Sequence, residues 1–147
     1  KEGLENYLVE VGGEIAAKGI NSRGKKWSLG IEQPDFIGRK AFTLLSFTNM
    51  SLATSGDYRN YYEVGGQRYS HTIDPKTSLP VRHHLASVSV LADSCMEADG
   101  LATALMSMGE DIGYKFALAN NIKAYFIYRV DGGFASKSSG GFDSFLN

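Results

Sequence analysis

Between Tyr7 and His71 the chain is cut into short β-prone runs by Gly12-Gly13, Ser22-Arg23-Gly24-Lys25, Thr48-Asn49 and Gly65-Gly66. Connections this short leave no room for a crossover, so consecutive runs can pair only as antiparallel neighbours. The expected strands are Tyr7–Val11, Glu14–Ile20, Trp27–Ile31, two between Lys40 and Thr54, and a hairpin of Tyr61–Val64 with Gln67–His71. Seventeen glycines against three prolines suit a fold with many tight turns. Ahead of these strands Lys1 to Asn6 reads as the tail of a helix, and Gln33-Pro34-Asp35 reads as loop.

The second half changes period. Leu85-Ala86-Ser87-Val88-Ser89-Val90-Leu91 alternates as a strand with one buried face. Ser94-Cys95-Met96-Glu97 then matches a capping box, with Ser94 as N-cap and Glu97 three residues on. The helix it opens should run to about Met108 and stop at Gly109. A second helix, acidic at its start through Glu110-Asp111, should reach Asn120-Asn121. Lys123 to Val130 reads as an aromatic strand, Asp131-Gly132-Gly133 as a turn and Phe134 to Lys137 as its return; Ser138 to Asn147 is small, polar and expected to fray. The fold class is therefore α+β (α/β in the broad sense), one domain over 1–147, mainly antiparallel sheet with a helix pair.

With 147 residues and a formal net charge of −1, the chain has no basic field to attract nucleic acid or an anionic membrane. Cys95 is the single cysteine, which excludes an intrachain disulfide and a thiolate zinc cluster, and its apolar setting predicts a buried, inert thiol. There is no signal peptide, no apolar run long enough to span a bilayer and no starting methionine, so the sequence reads as a fragment or a processed chain.

Two stretches concentrate chemistry. His71-Thr72-Ile73-Asp74-Pro75-Lys76-Thr77-Ser78-Leu79-Pro80 places an imidazole, a carboxylate and hydroxyls in a segment that its prolines hold extended at Asp74 and Leu79. On its own this is a rigid, exposed turn; at the end of a strand, His71 is also placed to act as a general base beside Asp74. In Ala98-Asp99-Gly100-Leu101-Ala102-Thr103-Ala104, Asp99 and Thr103 are four apart and share one helix face. Their hard oxygens suit Mg²⁺ or Ca²⁺. Two ligands do not complete a site, and the alternative is that Asp99 decorates the helix start while Thr103 bonds back to a carbonyl. Gly100, unfavourable inside a helix, suggests close approach by another group. Met96, Met106 and Met108 read as core, His83-His84 as a solvated pair, and Thr54-Ser55-Gly56-Asp57-Tyr58 as turn chemistry or a place where a ligand meets backbone. No nucleophile elbow, P-loop or dinucleotide fingerprint is present.

The order Val9-Glu10-Val11-Gly12-Gly13-Glu14, Thr54-Ser55-Gly56-Asp57-Tyr58, Tyr69 to Thr77 and Ala98 to Ala104 resembles the ApbE family of FAD:protein FMN transferases over nearly the whole chain. Ser78 stands where the family often has glycine and Gly100 where it usually has alanine; neither change removes a ligand. The resemblance implies two packed sheets with helices outside, and an enzyme that binds FAD with Mg²⁺, cleaves the pyrophosphate and joins FMN to a protein threonine or serine. It implies metal ligation by Asp99 and Thr103, flavin nucleotide contact by Ile73, and a catalytic role for His71 near the phosphates. Asp74, Ser55 and Gly56 would be neighbours of the nucleotide. Family members carry a preceding segment with an Ile-Ala-Lys-Gly motif; Glu14 to Gly19 resembles it only superficially, so the chain reads as the C-terminal portion. The acceptor would be a flavoprotein subunit of an electron-transfer complex, in the periplasm or cell envelope, with any membrane tie made by an upstream lipid anchor and a homodimer left open. FAD pyrophosphatase activity and non-catalytic flavin binding are the alternatives.

Overall fold

The computed structural model describes residues 3–34, 40–58, 61–64 and 67–147. Its centre is a six-stranded antiparallel sheet in the order β1 (Tyr7–Val11), β2 (Glu14–Lys18), β5 (Met50–Gly56), β10 (Leu85–Ala92), β11 (Lys123–Val130), β12 (Gly133–Ser139). β3 (Trp27–Glu32) and β4 (Ala41–Phe47) form a separate ribbon. β6 (Tyr61–Val64) pairs with β7 (Gln67–Ser70), and β8 (Ile73–Asp74) with β9 (Leu79–Pro80). The expected antiparallel α+β architecture is the one observed. The turn expected at Gly65-Gly66 lies outside the described residues, as do Lys1, Glu2 and Asp35.

The main sheet lies between two cores. On one face Ile31, Leu45 and Phe47 of the ribbon pack on Leu52, Leu91, Tyr125, Ile127 and Phe142. On the other, Val88, Val90, Ala124 and Phe126 meet Ala102, Leu105, Met106 and Ala117 of helix α1 (Cys95–Ala119). Burial of apolar surface on both faces is what holds the three layers together. β10 is consequently buried at every residue, not on one face as its alternation implied. Of its two serines, Ser89 is satisfied across the sheet by Thr54, with 2.7 Å between hydroxyl oxygens.

The Ser94 hydroxyl accepts from the Glu97 amide at 3.2 Å, so the predicted cap is in place. α1 is two helical segments joined at Gly109, whose φ of 79° and ψ of 178° break it where the sequence placed a stop. Glu110, beyond the break, accepts from the His84 and Leu85 amides at 3.3 and 3.0 Å and ties the second segment to the start of β10.

Five local expectations are corrected. His83, read as half of a solvated pair, is half-buried with its Nε2 2.7 Å from the Met106 carbonyl oxygen, whereas His84 is exposed. Residues 3–6 are not helical: Gly3 has a φ of 65°, and the Asn6 side chain accepts from the Ile20 amide at 2.8 Å. Met96 is 85% exposed, because it lies on the solvent side of the first helical turn while Ala98 packs on Ala53 and Ala92, whereas Met106 is fully buried. Cys95 is half-buried. The C-terminus does not fray: β12 continues to Ser139, and a 3-10 turn (Phe142–Phe145) inserts Phe142, fully buried, with its ring centroid 5.5 Å from that of Tyr125. The Asn147 amide donates to the Leu44 carbonyl at 3.0 Å. One buried aromatic outweighs a run of small polar neighbours.

Candidate functional site

The site begins with a mismatch in strand length. β2 pairs with β5 only from Ile15↔Leu52 to Ala17↔Met50, because Gly12 and Gly13, with φ of 68° and 112°, turn the chain back into β1. β5 continues to Gly56, paired with β10 on its other side. Among the described residues, Ala53 to Gly56 therefore have no strand partner on the β2 side. A cleft of about 450 Å³ opens at this free edge, within the range of small-molecule sites.

Side chains reach the cleft from both faces of the sheet. Thr54, Ser55 and Gly56 of β5 line it; Asp99 and Thr103 enter from α1, one helical turn apart; Tyr58 and His71 line it as well. The turn between β1 and β2 adds Glu10 and Glu14, and β3 adds Leu29, Ile31 and Glu32. Ser55 Oγ lies 3.4 Å from Thr103 Oγ1. Asp99, Thr103 and His71 are all exposed to the cleft's solvent, so none needs burial to be offset before it can meet a ligand.

The structure thus brings His71, Ser55, Gly56, Asp99 and Thr103 to one cleft, although 48 positions separate Ser55 from Thr103. Ile73 and Asp74 are not among the lining residues. Ile73 is 49% exposed on β8, which packs beside α1. The Asp74 carboxylate accepts from the Lys76 amide at 2.8 Å, and its carbonyl accepts from the Ser78 amide at 2.8 Å. This is the Asx-turn role of a loop aspartate. The same turn gives Ser78 a φ of 57°, a conformation that glycine adopts more easily. Among the described residues nothing lies within 4 Å of the place a Gly100 Cβ would take, so none of them supplies the close approach expected there.

Sequence reasoning passed over Glu10, Glu14 and Glu32 as site residues. The signal for two of them was their place beside Gly12-Gly13, a turn too short to be a phosphate loop but well placed to end a ribbon. With Asp99 they put four carboxylates around the cleft, and its described lining includes no lysine or arginine. Such a wall repels a phosphate group unless a cation intervenes. Among the described residues no group of three or more His, Cys, Asp and Glu side chains gathers as a complete metal cage. Asp99 with Thr103 instead offers the hard-oxygen, part-protein donor set suited to Mg²⁺, whose remaining positions go to phosphate or water. The residues present fit that ion.

Fold and cleft together define an antiparallel α+β scaffold with an acidic, metal-compatible site at a free sheet edge. The chain belongs to the ApbE family, whose model matches residues 1–126. It is 50% identical over 139 residues to the FAD:protein FMN transferase of Haemophilus influenzae, covering 94% of this chain and 40% of that protein. To the protein of that name from Vibrio cholerae it is 48% identical over 146 residues, covering 99% and 44%. The solved flavin transferase ApbE of Vibrio cholerae superimposes with a TM-score of 0.85 at 45% identity, over 99% of this chain and 46% of that one. The apo flavinyl transferase ApbE of Pseudomonas stutzeri gives 0.83 at 42%, over 98% and 44%. The chain thus spans less than half the length of these relatives.

Proposed function

We propose that this chain is the C-terminal portion of an enzyme that transfers FMN from FAD to a threonine or serine hydroxyl of a target protein, with Mg²⁺. The observation that carries the reading is the convergence of Asp99, Thr103, Ser55 and His71 on one acidic cleft in a member of this family. His71 takes the proton of the acceptor hydroxyl. The hydroxyl oxygen then bonds to the FMN phosphorus, the bond to the bridging pyrophosphate oxygen breaks, and AMP leaves with the electron pair. Asp99 and Thr103 hold the metal, and Ser55 and Gly56 border the dinucleotide. Mg²⁺, when bound, neutralises the charge that the cleft's carboxylates would otherwise repel. Ile73 and Asp74 flank the site from the β8–β9 hairpin: Ile73 contacts the flavin nucleotide, and Asp74 shapes the loop that follows His71.

The acceptor in this reading is a flavoprotein subunit of an electron-transfer complex in the periplasm or cell envelope. A lipid anchor upstream of this chain would tie the enzyme to the membrane. Among the described residues no helix is long and apolar enough to cross a bilayer.

The test is covalent flavin on an acceptor protein, made by the full-length enzyme from FAD and Mg²⁺ and read as in-gel flavin fluorescence. Asp99→Ala should lower the rate about a hundredfold or more, the scale of losing one electrostatic stabiliser of the transition state. Unchanged transfer would remove the assignment of Asp99. Release of FMN and AMP without protein-bound flavin would make the enzyme an FAD pyrophosphatase, and tight FAD binding with no turnover would make it a binding protein.

A further inference from the structure

Arg129 lies on β11, outside the cleft and beyond the segment that the family model matches. Its guanidinium donates to both oxygens of Asp57, 72 positions earlier, from Nη1 to Oδ2 at 2.8 Å and from Nη2 to Oδ1 at 2.7 Å. The Asp57 side chain is 14% exposed and that of Arg129 31%, so the carboxylate is largely shielded from water while the guanidinium is partly open to it. A two-pronged contact of this kind fixes orientation as well as distance.

Asp57 follows the last residue of β5, Gly56, and precedes Tyr58, and both of these neighbours line the cleft. Its amide donates to the Ala86 carbonyl at 3.0 Å, extending the β5–β10 ladder by one bond. The Tyr58 ring folds back over Gly56: a Cβ added there would stand 2.7 Å from Tyr58 Cε1, 3.0 Å from Cδ1 and 3.2 Å from the Ala86 carbonyl oxygen. Glycine at 56 is therefore what lets the Cδ1–Cε1 edge of the phenol ring come this close to the strand. Asp57, the residue between Gly56 and Tyr58, is held by Arg129 on one side and Ala86 on the other.

We propose that Arg129 is a positioning residue, acting through Asp57 to hold the Tyr58 ring as an aromatic wall for a planar ring of the dinucleotide substrate. This rests on the FAD reading above. A planar heteroaromatic ring stacks on a tyrosine face only if that face is presented at a fixed angle. A loosened wall loses ground-state and transition-state binding alike, which raises KM and spares kcat.

The experiment measures KM for FAD and kcat of the full-length enzyme in Arg129→Met, Tyr58→Ala and the double variant, each checked for folding by thermal melt. Arg129→Met should raise KM about tenfold, in the range of couplings between residues in contact, with kcat changed less than about twofold. In the Tyr58→Ala background it should add no further rise. Arg129→Lys should stay impaired, because lysine keeps the charge but not the fork. An unchanged KM, additive losses in the double variant, or full rescue by lysine would each overturn the proposal. Amide exchange on the same protein needs no substrate: Arg129→Met should speed exchange at Asp57 while Val88 and Phe126 stay protected, and equal rates would sink the clamp. Failure of the wild-type enzyme to turn over FAD counts instead against the transferase reading.

Discussion

Two of the three glycines in helix α1, Gly100 and Gly109, can be separated by experiment, and replacing each by alanine should have effects of opposite sign. Gly109 has a φ of 79° and a ψ of 178°, a region essentially reserved for glycine, so an alanine there stores about 1–3 kcal/mol of backbone strain. The new methyl would also stand 2.8 Å from His83 Cδ2, 2.9 Å from Cγ and 3.1 Å from Cβ. The imidazole cannot simply retreat, because its Nε2 is 2.7 Å from the Met106 carbonyl oxygen that accepts from it. Overpacking of this kind costs about 1–3 kcal/mol. Alanine's lower entropy in the unfolded chain returns about 0.4–1 kcal/mol. Gly109→Ala should therefore lose about 3 kcal/mol, a large share of the roughly 5–15 kcal/mol that holds a domain together. Gly100 has no positive φ and, among the described residues, nothing within 4 Å of its Cβ position, so Gly100→Ala should gain about 1 kcal/mol from helix propensity alone. Urea unfolding followed by far-UV circular dichroism reads both values. A Gly109→Ala variant as stable as the parent would refute the reasoning about the break. A loss at Gly100→Ala comparable to that at Gly109 would show that the open space above Gly100 is filled by something the described residues do not supply.

Two further substitutions test the fold. Phe142→Ala should cost about 3–5 kcal/mol, because the ring is fully buried against Tyr125 in the core beneath the β3–β4 ribbon; a loss under about 1 kcal/mol in the same urea titration would return the C-terminus to the frayed tail its composition suggests. Ser94→Ala should cost about 1 kcal/mol through the lost bond to the Glu97 amide, and a stability equal to the parent's would show that the cap adds nothing beyond what water offers the helix end.

Much of the chain's local structure was legible without coordinates. The turns at Gly12-Gly13 and Thr48-Asn49, the Ser94 cap, the stop at Gly109 and the strand from Lys123 to Val130 all follow from preferences expressed within a few residues. The candidate pair Asp99 and Thr103 was legible for the same reason, since helical spacing alone puts both on one face. The misreadings share a cause as well. The alternation of β10 says that its two faces differ in polarity, but only the arrival of α1 on one side and the β3–β4 ribbon on the other buries both. The polar tail conceals that Phe142 has a core to enter.

The cleft itself is a product of register. The Gly12-Gly13 turn announces where β2 begins, but nothing local announces that it pairs with β5 in the register Ile15↔Leu52 and so leaves Ala53 to Gly56 with a free edge. Likewise Arg129 and Asp57 meet only because β5, β10 and β11 lie side by side in the sheet. The amino-acid sequence by itself determined where the backbone turns, which segments are strand or helix, and which side chains could do chemistry, because dihedral preference and periodicity act over a few residues. The tertiary structure alone decided which of those side chains share a cleft, which carboxylates surround it and what holds its aromatic wall, because strand register and layer packing are set by partners far away in the chain.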